Sequence, residues 1–239
     1  MESPSSPLIL ALWAALAALA AGLGPVLLGT PPAPRPRHLG FASALAAGAM
    51  LGVGYALMSL GLARSGGAAT LGAMLGVAVT YASHVWLGVG AAPRAVRIRH
   101  AVGAGALHAA PEGIAMGAAM AADPRFGLFL IATLAVHNVW ESEVLGTQIL
   151  AGGVTRGHTA LLGVVSNVPQ VVFAVAAFAV AVRAPMSLTV LLGFAFGALT
   201  YLCLAELLPD SYRSVGRTSI AVVVSVAAGV VALLGGRLQ

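Results

Sequence analysis

Long apolar stretches alternate with short polar connectors along the whole chain. Each stretch is close to the roughly 20 residues that a helix needs to cross the hydrocarbon core of a bilayer, and the connectors carry Pro, Gly or Arg. This pattern predicts an all-α polytopic membrane protein in which residues 1–239 form a single transmembrane domain. The eight predicted helices cover about residues 7–29, 39–62, 68–89, 101–122, 126–151, 159–182, 187–208 and 218–236.

The composition excludes an ordinary soluble domain. Hydrophobic residues make up 59% of the chain and charged residues 8%, which leaves too few polar side chains to cover a water-exposed surface. The Arg residues that make the chain basic are scattered over short connectors rather than clustered on one face. We therefore expect the lipid bilayer, and no nucleic acid, as a partner.

The same Arg residues predict the orientation of the chain. Eight of them follow the first, third, fifth and seventh predicted helices, and four lie on the other side. Because cytoplasmic connectors carry an excess of cationic residues, this asymmetry places the odd-numbered connectors in the cytoplasm and both termini outside. The short chain and the absence of an organellar signal give the expectation of a bacterial inner membrane.

A weak internal similarity indicates an inverted repeat. The second helix contains GFASALAAGAML and the seventh contains GFAFGALTYL, which share Gly-Phe-Ala followed by Gly-Ala. The two helices cross the membrane in opposite directions, as the members of an inverted repeat do, and transporters of this kind bind their substrates near the repeat interface. Small residues also recur in membrane helices simply because they allow close approach.

Two matched pairs of ionisable residues lie inside predicted helices. His108 and Glu112 are four residues apart in the fourth helix, as are His137 and Glu141 in the fifth, and residues at this spacing project from one helical face. A charge at the centre of a membrane helix costs about 2.5–3.5 kcal/mol on insertion scales, which favours a functional role. Because the helices are antiparallel, the rise of about 1.5 Å per residue puts Glu112 level with His137, and His108 level with Glu141.

Two imidazoles and two carboxylates at one depth are typical of a divalent metal site. These ligands suit zinc, iron or manganese, and two carboxylates neutralise the charge of the ion. We therefore predict His108, Glu112, His137 and Glu141 as metal ligands near the middle of the membrane. Glu143 is two residues from Glu141 and points elsewhere, so we expect it to form an interhelical hydrogen bond.

Several further polar residues are weaker candidates. Pro111, within the motif HAAPEGIAMG, removes a backbone donor, kinks the helix and frees the carbonyl of Leu107 as a further candidate ligand. Met50 is more typical of core filling than of a thioether ligand. The additional metal or pathway candidates are Met50, Asn138, Gln148, Asn167 and Gln170, and those for a cytoplasmic exit are His84, Glu206 and Asp210.

Three segments of the sequence resemble one transporter family. HAAPEGIAMG in the fourth helix and HNVWESEV in the fifth resemble the paired HNxPEG-type motifs of the ZIP (Zrt/Irt-like) metal transporters, and GFAFGALTYLCLAELLPD resembles their seventh helix. The resemblance implies passive or coupled movement of zinc, iron or manganese towards the cytoplasm through a centre between helices four and five. It also implies a ZIP-like 3+2+3 arrangement of eight helices with external termini, often in a homodimer.

The chain departs from the family at positions of this centre. Ala109 stands where the family usually has Asn, and Val168 stands where its sixth helix usually places Glu before Pro. Both positions belong to the second metal of the family, of which Asn138 survives, whereas the four residues that match the first metal are intact. The resemblance therefore implies a mononuclear site here. Trp140 and Ser142 replace the usual Pro and Gly around the Glu of the fifth helix, which puts a kink there in doubt.

Transport of a divalent metal without catalysis is the leading hypothesis, and two alternatives stay open. The missing second-site residues are compatible with a relative that binds metal as a sensor or scaffold. An intramembrane zinc hydrolase needs an open coordination position and a base beside a bound water. This alternative is disfavoured because the chain has no HExxH motif and both carboxylates are needed to neutralise the metal.

Overall fold

The computed structural model describes residues 6–27, 36–87 and 97–238, and helices are the only regular secondary structure in this part of the chain, as predicted. The ends of two predicted helices, residues 28–29 and 88–89, lie outside it. The eight helices are α1 (Pro7–Leu27), α2 (Pro36–Arg64), α3 (Gly66–Leu87), α4 (Arg97–Ala122), α5 (Pro124–Ala151), α6 (Arg156–Arg183), α7 (Pro185–Ser214) and α8 (Arg217–Gly236).

Most of these helices have the length and composition of membrane spans. Within the described ranges, all except α4 are long and apolar enough to cross a bilayer. The sequence of α4 is less apolar because it contains His108, Pro111 and Glu112 among small residues. Large apolar side chains on the outside of the bundle, such as Trp86 and Met186, are exposed. The protein is therefore a membrane protein, and the described helix that does not meet the criteria of a span, α4, carries one of the two predicted ligand pairs.

The seventh helix continues further than its apolar sequence predicts. Residues 210–217 are expected to be a connector, but α7 remains helical to Ser214. The hydroxyls of Ser211 and Ser214 donate to the carbonyls of Leu207 and Asp210, four residues earlier, at 2.7 and 3.1 Å. Polar residues at the end of a membrane helix end its apolar stretch without ending the helix, and the prediction of a connector here was wrong for that reason.

The sixth helix is broken near its middle. One half ends at Ser166 and the other begins at Val168, with Asn167 between them. Pro169 has no N–H group to continue the helical ladder, and the side-chain amide of Asn167 donates to the carbonyl of Gly163, at the end of the first half, at 3.0 Å. The break therefore gives α6 a second helix N-terminus inside the bundle.

Helices α4 and α5 are central to the packing of the bundle. α4 packs along α5 and α6, α5 also contacts α1 and α2, α3 packs along α7, and α8 packs along α2. Gly113 and Gly117 bring α4 so close to α6 that a Cβ atom at either position would touch the carbonyl of Gln170 or Ala174. Small residues permit this approach between membrane helices. The approach holds the second half of α6 against the part of α4 that carries Glu112.

Candidate metal centre

Three of the predicted ligands form a compact buried group. Glu112, His137 and Glu141 each offer one ligand atom, and these atoms lie within 4.8 Å of one another. His137 Nε2 is 3.1 Å from Glu112 Oε1 and 3.6 Å from Glu141 Oε2. In a tetrahedral zinc site with bonds of about 2.0–2.1 Å, neighbouring ligand atoms lie about 3.3–3.4 Å apart. The spacing of the three side chains therefore matches that of ligands around one ion.

The hydrogen bonding of the group also fits a cation. Glu112 Oε1 and His137 Nε2 are buried and face each other at 3.1 Å, and neither has another hydrogen-bond partner among the described residues. Buried polar atoms in native proteins are normally satisfied by a partner. A divalent ion between these atoms and Glu141 would satisfy both at once, and the two carboxylates would balance its charge.

The backbone of α2 orients the imidazole of His137. Its Nδ1 atom lies 3.2 Å from the carbonyl oxygen of Ala46. A carbonyl only accepts hydrogen bonds, so Nδ1 carries the proton and donates it. In its neutral form the ring would present the lone pair of Nε2 to the two carboxylates, as in metal sites where a second hydrogen bond fixes the imidazole tautomer. The carbonyl of Ala46 therefore holds the ring in the orientation that a metal ligand at Nε2 needs.

His108 lies beside the compact group rather than inside it. Its Nδ1 atom shares a hydrogen bond of 2.7 Å with Glu141 Oε1, and its Nε2 atom is 3.0 Å from Glu206 Oε2. The predicted pairing by depth is therefore observed, since Glu112 meets His137 and His108 meets Glu141. The role of His108 as a direct ligand stays a prediction, because here its ring bridges two carboxylates.

A second polar pair continues from His108. Glu206 also contacts Nε2 of His84, and the ring of Tyr201 packs edge-on against His84 with the ring centroids 5.6 Å apart. Glu206 lies in a π-helical turn of α7, Cys203–Leu207, and such turns are frequent at functional sites. His84 and Glu206 are both predicted exit candidates, whereas the contact between Glu206 and His108 was not predicted.

A cavity of about 550 Å³ joins these residues to one end of the bundle. His108 and Glu141 line it next to the compact group, Gln148 lines its wall, and Asp210 and Arg213 line it at the end of α7. The last two form an exposed ion pair at 3.0 Å. The predicted exit candidate Asp210 therefore lies at the outer part of this cavity, at the surface.

The opposite side of the compact group is apolar. Met116 follows Glu112 by one turn in α4, Leu134 precedes His137 by one turn in α5, and both side chains are completely buried. Met50 of α2 is buried in the same apolar core, in agreement with its interpretation as core filling. Large apolar side chains thus close the group on this side.

Two side-chain amides form a series of hydrogen bonds that ends at Glu112 Oε2, the oxygen that faces α6. Gln170 Nε2 donates to Glu112 Oε2 at 3.1 Å. Asn138 Nδ2 donates to Gln170 Oε1 and to the backbone carbonyl of Ala17, both at 3.0 Å. Asn138 and Gln170 are both predicted candidates for the metal site or pathway, but the contact between them was not predicted.

Glu143 lies apart from the compact group. Its buried carboxylate is 3.0 Å from Nδ1 of His38, near the start of α2. The predicted interhelical contact is therefore present. Its partner His38 was not predicted, because His38 lies at the edge of a predicted helix with nothing in its spacing to connect it to α5.

Pro111 lies inside a helix that continues without a break. Together with Leu107 it lines a separate apolar cavity of about 400 Å³ between α3, α4, α6 and α7, and the residues around that cavity include none of the four predicted ligands. The use of the Leu107 carbonyl as a further ligand stays a prediction.

Comparison with known proteins gives one informative relative. No family model matches the chain. The chain is 29% identical over 129 residues to a protein of Arabidopsis thaliana named "putative zinc transporter". The matched region covers 53% of this chain and 21% of that protein, so the chain spans only about a fifth of the length of its relative. The relative is named as a transporter, in agreement with the expectation that the chain is not an enzyme.

Proposed function

We propose that this chain is a ZIP-like transporter of divalent transition metal ions, with Glu112, His137 and Glu141 as the ligands of the transported ion. The observation that carries the proposal is the buried contact of 3.1 Å between Glu112 Oε1 and His137 Nε2, beside a second carboxylate, with no other hydrogen-bond partner for either atom among the described residues. The zinc transporter relative supports zinc as the first substrate to test. Iron and manganese accept the same ligand types.

The polar residues beyond the compact group suit the release of the ion. His108 contacts Glu141 on one side and Glu206 on the other, and Glu206 contacts His84. Along this series, each side chain offers an imidazole nitrogen or a carboxylate oxygen and contacts the next side chain directly. We propose that the ion leaves along this line into the cavity that ends at Asp210. The asymmetry of the Arg residues supports the cytoplasm as the destination.

The helix contacts support the proposed inverted repeat and its 3+2+3 arrangement. If helices one, two and three correspond to six, seven and eight, and four corresponds to five, each packing pair should have a counterpart. The contact of α3 with α7 then corresponds to that of α8 with α2, and the contact of α4 with α6 corresponds to that of α5 with α1. All four contacts are observed. The single domain, the external termini, the bacterial inner membrane and the homodimer stay predictions.

The first test is metal entry into proteoliposomes. Purified protein is reconstituted with a zinc-responsive dye inside the vesicles, and the native chain is compared with Glu112→Ala and His137→Ala. We expect zinc entry for the native chain and entry at the level of protein-free vesicles for both variants, because each removes a ligand. Size-exclusion elution and circular dichroism check that the variants are folded.

Two other results would contradict the proposal. Zinc entry at the native rate in both variants would show that the ion passes elsewhere. Binding of zinc, iron or manganese to the native chain without entry of any of them would favour a metal-binding sensor or scaffold instead.

A further inference from the structure

The two oxygens of Glu112 have different surroundings. Oε1 faces His137 Nε2 at 3.1 Å, on the side of the compact group. Oε2 accepts a hydrogen bond from Gln170 Nε2 at 3.1 Å, on the side of α6. Glu112 and Gln170 are both completely buried. The carboxylate can therefore offer one oxygen to a metal ion while the other stays bound to a neutral amide.

The direction of the Gln170 amide is fixed by its neighbours. The backbone carbonyl of Ala17 only accepts hydrogen bonds, so the NH₂ group of Asn138, 3.0 Å away, must face it. The same NH₂ group is 3.0 Å from Gln170 Oε1, which therefore accepts. The NH₂ group of Gln170 is left to face Glu112. This chain of directed bonds is anchored on the backbone of α1.

The break in α6 brings Gln170 to this position. Gln170 lies in the first turn of the second half-helix, and its backbone N–H donates to the carbonyl of Asn167 at 3.1 Å. The absence of a side chain at Gly113 lets this turn approach α4. The N-terminus of a half-helix also favours a nearby negative charge. The backbone of α6 and the side chain of Gln170 therefore act together on Glu112.

We propose that Gln170 is a positioning and specificity-determining residue that limits the site to one ion. Its amide holds Glu112 as a one-oxygen ligand and occupies the place from which a second cation would reach Oε2. The inference rests on the proposed function. Glu112 and Glu141 together balance one divalent ion, and a second would add two positive charges in a buried region where uncompensated charge is costly.

The direct test replaces the donor with a third carboxylate. Gln170→Glu keeps an oxygen for Asn138 to donate to, but it removes the NH₂ group and adds a negative charge beside Glu112 Oε2. We expect zinc per chain, measured by inductively coupled plasma mass spectrometry on protein in nanodiscs, to rise from one ion in the native chain to two in this variant. A merely structural role for Gln170 would not change this count.

A second variant separates positioning from charge. Gln170→Met has a similar volume and no hydrogen-bonding group, so Glu112 loses its support. We expect one ion per chain with roughly tenfold weaker zinc affinity, as for other residues that orient metal ligands, measured by competition with a chromophoric chelator. Thermal unfolding in nanodiscs shows whether each variant is folded.

The matched control exchanges the two side chains. Glu112→Gln with Gln170→Glu has the net charge and the hydrogen-bonding groups of the native pair, but it moves the carboxylate away from His137. We expect at most one weakly bound ion, which would show that the second ion in Gln170→Glu needs both carboxylates.

The possible results distinguish this inference from the proposed function. Two ions in the native chain, one ion in folded Gln170→Glu, or native affinity in Gln170→Met would overturn the role of Gln170. In each of these cases a native chain that binds and transports zinc leaves the proposed function intact. A native chain that binds no metal would instead contradict the proposed function itself.

Discussion

The compact group has a polar cavity on one side and buried apolar side chains on the other, although α4 and α5 contribute to both sides. Towards the end of α7, the cavity walls carry His108, Glu206 and other groups that can bind or hydrate an ion. One turn away in the opposite direction, Met116 and Leu134 are completely buried. Residues one helical turn apart in α4 and α5 thus decide whether an ion meets polar ligands or a closed apolar wall. Access from one side only is what alternating access requires of one state of a transporter.

The sharpest comparison uses two neighbouring carboxylates of α5. Glu141 faces the compact group, whereas Glu143 faces His38. We expect Glu141→Ala to lower zinc uptake into proteoliposomes at least about a hundredfold, because a ligand and half of the balancing charge are lost. Glu143→Ala should keep one bound zinc per chain and measurable uptake, since its side chain does not touch the ion. Equal losses of binding in both variants would refute this assignment.

Cysteine labelling tests the difference between the two sides directly. In a Cys203→Ala background, a cysteine in place of Gln148 lies on the cavity wall, and one in place of Met50 lies in the apolar core. We expect a water-soluble maleimide to label the first at least about tenfold faster, because only an accessible thiolate reacts. Comparable labelling rates would mean that water also reaches the Met50 side.

A smaller effect is expected from the spacing of α4 and α6. Gly113→Ala would place a methyl group against the carbonyl of Gln170, whereas Gly103→Ala in the same helix meets open space. We expect the first change to separate the helices, weaken the bond between Gln170 and Glu112, and reduce zinc affinity about tenfold. Gly103→Ala should leave the affinity unchanged in the same titration. Native affinity in both would show that the site tolerates the separation.

The smallest effect is expected at the outer part of the cavity. Asp210 and Arg213 form an exposed ion pair, and exposed pairs contribute about 0–1 kcal/mol. Asp210→Asn should therefore change zinc uptake no more than about threefold, and the difference should shrink as the salt concentration rises. A loss as large as that of Glu141→Ala would instead place Asp210 among the essential ligands.

The ligand pairs were predictable because they depend only on regular helix geometry. Spacing of four residues puts His137 and Glu141 on one face, and the antiparallel direction of α4 and α5 brings Glu112 to the level of His137. The structure shows these contacts. Whether these residues bind metal is a question of function that the spacing alone leaves as a prediction.

The remaining contacts depend on departures from regular helices. Gln170 reaches Glu112 because α6 is broken at Asn167, and Glu206 reaches His108 from a π-helical turn. A regular spacing of 3.6 residues per turn does not predict which way a side chain points at or after a break or a π-helical turn. At these two points the polar residues could be selected from the sequence, but not the contacts of Gln170 with Glu112 and of Glu206 with His108.

The π-helical turn Cys203–Leu207 gives α7 one residue more than a regular helix needs for the same rise. Deleting Leu204, whose side chain faces outwards, would close this turn into ordinary α-helix. The parts of α7 before and after the turn would keep their faces, because the turn absorbs the extra residue, and only the residues inside it would change direction. Glu206 could no longer face His84 and His108 while the rest of α7 kept its packing against α3. A single codon therefore separates a seventh helix whose carboxylate contacts His108 from one whose carboxylate does not.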